Sequence, residues 1–193
     1  VEQSIEVTVR GYDPVTQQDN VPLGKVTVEA TAMGWDNNGQ LNKQLMPTIT
    51  AGSRSAGDAG EAAAGKVWFN ALCPADSWRL RGKRLGYDMA EKWVTSDSMS
   101  GLLDEQVVEL DMALHATELL VVLTHPVYYP QDAFVGTTVH LEGLQDTETE
   151  GISRDVKAEL SEVAGRPALV AIFTMLLPGS YEITYRQTIS PMV

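Results

Sequence analysis

Three histidines, one cysteine, four tryptophans and two clusters of acidic side chains are the residues that could do chemistry in this 193-residue chain. Histidines make a preformed metal site or a proton relay when spacing puts two on one face of an element, two or four positions apart. His115, His125 and His140 have no such spacing. His125 precedes Pro126 in a turn and His140 alternates with Val139 and Leu141, so structural or surface roles are expected. Asp36-Asn37-Asn38-Gly39 holds some calcium-type ligands but lacks the alternating acid and amide spacing and the later bidentate Glu, and reads as a turn. The acidic run Asp146–Glu150 reads as a solvated loop. In Gly52-Ser53-Arg54-Ser55-Ala56-Gly57, Arg54 stands where a nucleophile elbow needs its serine, and the Lys-Ser/Thr ending of a phosphate loop is missing. Cys73, beside Pro74 at a strand end, reads as a small core or turn residue rather than an activated thiol. The expectation is a non-enzyme with no metal and no cofactor.

The aromatic residues carry the remaining binding potential, since exposed rings stack on sugars or anchor a protein interface. Trp78 reads as core. Trp68 alternates with Val67 and Phe69 and so points outward if those point inward. Trp35 and Trp93 fall at expected strand ends. With Tyr181 and Tyr185 on the last strand and Ile189 just beyond it, Trp35, Trp68 and Trp93 are the candidate interface or ligand contacts. Ordinary packing against the stretch 36–65 is the competing explanation for the tryptophans.

These side chains need a scaffold, and composition limits what it can be. The hydrophobic fraction of 44% suffices for a buried core, and the formal net charge of −12 disfavours nucleic acid and anionic lipid. No apolar run reaches the length of a membrane span; LLVVL at 119–123 and ALVAIFTMLL at 168–177 suit buried strands. A single cysteine excludes a disulfide within the chain. The sequence starts at Val1 without an initiator Met, as a processed chain or an excerpt of a longer one would.

Alternation of apolar and polar residues marks strands at 4–10, 25–33, 66–72, 78–84, 92–96 and 106–114, with turn signals between them and a short strand at 46–50. Between Asp36 and Gly65 the periodicity gives way to Gly, Ala, Ser, Asn and Thr, which reads as a long surface insertion. Further strands are expected at 118–124, 137–143, 154–160, 167–175 and 180–188. Val156, Leu160 and Val163 also sit at helical spacing behind Asp155, so 155–165 is open to a short helix.

The chain also repeats itself. VWFNALCPADSWRLR at 67–81 and AIFTMLLPGSYEIT at 171–184 align with one gap, matching Phe69 to Phe173, Leu72 to Leu176, Pro74 to Pro178 and Trp78 to Tyr181. The spacing from Pro14 to Gly24 recurs from Pro126 to Gly136. A duplication at this length points to two domains, at 1–115 and 116–193, and favours a strand over a helix at 155–165. Phe69 and Phe173 should point into the two cores. Trp78 and Tyr181 should plug the sandwich ends, and Gly179 should permit the reversal that Pro178 begins.

This order of strands and turns resembles the prealbumin-like β-sandwich group, which includes the collagen-adhesin B-type repeats and the carboxypeptidase regulatory-like domains. The resemblance implies an all-β chain of two tandem Ig-like or prealbumin-like β-sandwich domains. Such adhesin repeats often carry a Lys–Asn or Lys–Asp cross-link from the first strand, but 4–10 and 118–124 contain no Lys, so that chemistry is not expected. After Trp78 the first copy continues for about three strands, whereas twelve residues follow Tyr181. The second domain is therefore expected to present an open edge, completed by a partner's strand. The reading is a non-catalytic structural or adhesive subunit of an extracellular, cell-surface or virion assembly. Its partners would be other copies of itself or other subunits, without nucleic acid or membrane insertion. The alternative is a glycan-binding module using exposed tryptophans.

Overall fold

The computed structural model describes residues 3–55, 63–72, 75–95, 106–115, 117–124 and 134–186. Cys73, Pro74, His125, Pro126 and Ile189 lie outside the described residues. The fold is all-β, arranged as sandwiched sheets, with no α-helix among the described residues. The chain divides into two compact units, Val1–Leu114 and His115–Val193.

Unit 1 is built around two central strands. β1 (Gln3–Asp13) pairs antiparallel with β2 (Gln18–Pro22) and β6 (Lys66–Leu72), and in parallel with β9 (Gln106–Met112). β3 (Thr27–Trp35) pairs with β4 (Leu41–Gln44), β5 (Ile49–Gly52) and β7 (Ser77–Lys83), and β7 continues to β8 (Ala90–Thr95). Alternation sends Ile5, Val7 and Val9 inward, where they are fully buried against Phe69, Trp78, Leu80, Val108 and Leu110 on the inner faces.

The stretch 36–65, expected as an insertion without regular structure beyond one short strand, supplies both β4 and β5. Asp36 closes the β3–β4 hairpin as its sequence suggested: its Oδ1 accepts from the backbone N–H of Asn38 and Gln40 at 2.8 Å each, and Gly39 takes the left-handed φ of 73°. Ser53 ties the far end of the stretch to the core. Its buried hydroxyl donates to the Leu23 carbonyl at 2.8 Å and accepts from the Val26 N–H at 3.0 Å. The β1–β2 hairpin, where only a turn was expected, is set by the Asp13 carboxylate accepting from Val15, Thr16 and the Thr16 hydroxyl.

Unit 2 is smaller. β10 (Leu119–Leu123), β14 (Arg166–Phe173) and β13 (Glu159–Val163) form one sheet; β12 (Ser153–Lys157), β11 (Thr138–Gly143) and β15 (Tyr181–Arg186) form the other. Residues 155–165 are strands rather than a helix, but two of them. The chain leaves one sheet after Lys157 and joins the other at Glu159, pivoting on the fully buried Ala158. Both backbone groups of Ala158 are engaged: its N–H donates to the Thr137 carbonyl at 2.8 Å and its carbonyl accepts from Gly136 at 2.9 Å. This crossing closes one side of the sandwich covalently.

The two units keep a common register. Ile5 faces Phe69 in unit 1 as Leu119 faces Phe173 in unit 2, and Val7–Val67 corresponds to Val121–Ala171. In the other sheet, Ala32–Trp78, Ala30–Leu80 and Val28–Gly82 correspond to Gly143–Tyr181, Leu141–Ile183 and Val139–Tyr185. Phe69 and Phe173 are buried, as the repeat required. Gly179 differs from the expectation: it needs no left-handed φ, but a Cβ there would come within 2.4 Å of the Thr149 methyl. Packing, not turn geometry, demands that glycine.

Replacing Ser53 with Ala would leave the Leu23 carbonyl and Val26 N–H buried without their partner. Urea unfolding of the variant should show a loss of about 1–3 kcal/mol, carried in the midpoint rather than the slope.

Candidate functional site

The tryptophans do not build a common platform. Trp35, at the end of β3, is 60% exposed; Trp68 on β6 is 42% exposed and Trp93 on β8 is 38% exposed. Cross-strand pairing puts Trp68 beside Glu6 on the outer face of the β1 sheet, while Trp35 and Trp93 lie on the outer face of the β3 sheet. Trp93 sits in mid-strand, not at the strand end that its sequence context suggested. Two of the rings are already engaged. Trp68 Nε1 donates to Glu6 Oε2 at 3.0 Å with Lys66 5.9 Å from the ring centre; Trp93 Nε1 donates to Glu91 Oε1 at 3.0 Å with Arg79 5.9 Å away. Trp78 is core, at 1% exposure.

Arg81 and Glu91 form the strongest polar contact on that outer face, with Nε 2.6 Å from Oε2. The Arg81 hydrogen bond, helped by the Trp93 N–H, holds the Glu91 carboxyl below its ordinary value of 4.5. Among the described residues no three His, Cys, Asp or Glu side chains gather as a metal site. His140 pairs instead with Asp155 at 2.8 Å across β11 and β12.

The feature that separates the units lies at the rim of unit 2. Its sheets run β13-β14-β10 and β12-β11-β15. Since β12 and β13 are one continuous crossing segment, their edges share one side of the sandwich, and β10 and β15 together form the opposite side. Among the described residues β10 pairs only with β14, and β15 only with β11. The described residues there that face inward are only partly covered. Leu119, Val121 and Leu123 are half-buried where Ile5, Val7 and Val9 are fully buried. Ile183 and Tyr185, opposite the buried Leu141 and Val139, are 42% and 64% exposed. In unit 1 the same side is occupied by β9 beside β1 and β8 beside β7.

The two sides of unit 2 are dressed differently. The crossing segment carries Asp155, Lys157, Glu159 and Glu162, charges that discourage a foreign strand. β10 reads Leu-Leu-Val-Val-Leu without a charge, and its outer face adds exposed Leu120, Val122 and the neighbouring Ile172. Tyr181, at the base of β15, is half-buried and donates to the Leu177 carbonyl at 2.6 Å, so it braces the turn before β15 rather than fully plugging the sandwich end. Partial burial raises its pKa above the usual 10.0. Sequence reasoning singled out Tyr181 and Tyr185 but not the neighbouring edge strand β10. The uncharged run at 119–123 was the available signal.

No protein-family model matches the chain, and no curated protein matches it. Among solved structures it is similar to the Bacillus anthracis TIE protein, at 16% identity and a TM-score of 0.48. That alignment covers 98% of this chain and 28% of the other, so the chain spans little more than a quarter of that protein. It is also similar to the fimbrial anchor protein Mfa2 from Porphyromonas gingivalis, at 13% identity and a TM-score of 0.32, covering 99% of this chain and 79% of the other. A candidate adhesin from Bacteroides ovatus aligns at 9% identity and a TM-score of 0.38, over 96% and 73% of the two chains.

Because the folded-state pKa of Glu91 is lowered, its ion pair stabilises the protein above the unfolded value and loses that contribution as pH falls through the folded one. Glu91→Gln should therefore lower the stability at pH 7, by under about 1 kcal/mol for so exposed a pair. Thermal melts of the two proteins should converge below pH 4.5, the ordinary value.

Proposed function

We propose that the chain is a non-catalytic structural or adhesive subunit of an extracellular assembly, a filament, surface layer, appendage or virion, joined through the edges of its β-sandwiches. On this reading both units follow the plan of the prealbumin-like B-type repeats, and the partners are other subunits or further copies. The observation that carries it is the side of unit 2 where, among the described residues, two adjacent strand edges are unpaired and five inward-facing apolar side chains are only partly covered. A half-covered core face flanked by an uncharged edge strand is a strong template for an added strand. The likeness to solved adhesins is too distant to bear on this.

A glycan-binding module is the second reading, and the exposure of Trp35, Trp68 and Trp93 favours it. Their distribution over two sheet faces, with Trp68 and Trp93 already paired to carboxylates, gives it the weaker support. Tryptophan emission that shifts with a glycan, at unchanged particle mass, would favour this second reading.

Two measurements test the edge. Hydrogen exchange on the dilute chain should show Leu119–Leu123 amides exchanging at least about tenfold faster than those of Ile5–Val9. Light scattering should show association that grows with concentration and is suppressed by Ile183→Lys, an inward-pointing charge at an exposed site, with the melting curve unchanged. A chain that stays monomeric at every concentration, with β10 protected as well as β1, would sink the proposal.

A further inference from the structure

The internal repeat goes further than an open edge, because unit 1 shows what fills the equivalent space. β9 runs parallel to β1 and places Val108 opposite Val7, Leu110 opposite Val9 and Met112 opposite Gly11. All three β9 side chains are buried. Leu110 and Met112 have room because β7 carries Gly82 beneath them: a Cβ at Gly82 would lie 2.9 Å from the Met112 Sδ and 3.5 Å from the Leu110 Cδ1. Applied to unit 2, the shared register puts Leu119, Val121 and Leu123 in the places of Ile5, Val7 and Val9, and Tyr185 in the place of Gly82. By register, the Tyr185 side chain is directed toward the space that Leu110 and Met112 fill in unit 1, where it remains 64% exposed.

From this we infer that the β10–β15 side of unit 2 accepts an extended segment of another polypeptide, lying parallel to β10, with a branched apolar residue opposite Val121 and a glycine or alanine opposite Leu123. The inference rests on the assembly reading above and adds the direction and side-chain code of the incoming strand. A small residue is required beside Tyr185 because a side chain of leucine size would overpack against the ring. Among the described residues every strand is already paired within its own unit, so the occupant is a segment supplied by another molecule. Its flanks should be neutral or basic: residues 115–193 carry ten acidic and four basic side chains, so an acidic strand would be repelled on approach. The edge and its inner face then acquire in trans what β9 provides to β1 within the chain.

The experiment uses the whole chain and two synthetic peptides. The first reproduces Gln106–Met112 with Glu109 and Asp111 replaced by Lys; the second has in addition Ala in place of Leu110 and Gly in place of Met112. The small-residue peptide should bind at least about tenfold more tightly and slow amide exchange at Leu119–Leu123. In the Tyr185→Gly chain, which restores the glycine of unit 1, the preference should reverse in favour of the bulky peptide. Equal affinities in both chains, or protection appearing on β13 in place of β10, would overturn the inference. If the unmodified chain associates through the edge and yet neither peptide binds, the strand code falls while the assembly reading stands. If β10 is protected in the lone chain, both fall.

Discussion

A strand at the centre of a sandwich has to satisfy backbone hydrogen bonds on both edges and cover its inner side chains at once. β1 does both: β6 and β2 engage one edge, β9 the other, and Ile5, Val7 and Val9 vanish from solvent. β10 is the same kind of strand in the same register, and it has one neighbour among the described residues. Burying a leucine or valine side chain contributes about 1.5–3 kcal/mol. Three such residues left half-covered, with Ile183 and Tyr185 facing them, therefore leave several kcal/mol unrealised within the unit. That shortfall is the physical basis of the proposed association at the rim of unit 2, and among the described residues charges line the opposite segment of β12 and β13.

The repeat is informative where it agrees and where it departs. Agreement fixes the frame: the Phe69 and Phe173 pairings, and the three-pair ladder between β3 and β7 that recurs between β11 and β15. Departure marks specialisation. On the closed side, unit 1 brings β5 near β6, whereas unit 2 passes one segment through Ala158 from sheet to sheet. On the other side Gly82 has become Tyr185. A glycine there lets a bulky neighbour pack tightly; a tyrosine supplies its own bulk and asks for a small neighbour. Such a reciprocal change in size is how a self-complementing site and one that takes a foreign strand can share a single frame.

Much of this was legible in the sequence, because alternation is a strong signal where one face of a strand is buried. The inward set Ile5, Val7, Val9 and the stretch Lys66–Leu72 correspond to strands with little change of boundary. Legibility failed where long-range partners decide. β4 and β5 form because β3 offers them an edge, and their own residues are mostly exposed and polar. The Ala158 pivot looked like one strand or a helix, since a change of sheet leaves no mark on a period-two pattern. The tryptophans were readable as exposed or buried, but which face each shares depends on register, and register is set by residues distant in sequence. The residues that bear on the proposed open side are the uncharged run 119–123 and Tyr185, and neither stands out in a period-two pattern.

The acidity of the chain fits an edge-built assembly better than a glycan platform. Charges on the described strands gather on outward faces and on the protected rim: Glu29 with Lys83, Arg81 with Glu91, Lys66 with Glu6, and Asp155 hydrogen-bonded to the His140 ring. Trp68 and Trp93 belong to these pairings, each ring held between a cation and a carboxylate. Stacking a sugar on them would require breaking that arrangement, whereas adding a strand to β10 disturbs none of it. Like-charged surfaces also repel until an uncharged edge is presented in register, so on the proposed reading the same distribution would keep subunits apart elsewhere and direct pairing to residues 119–123.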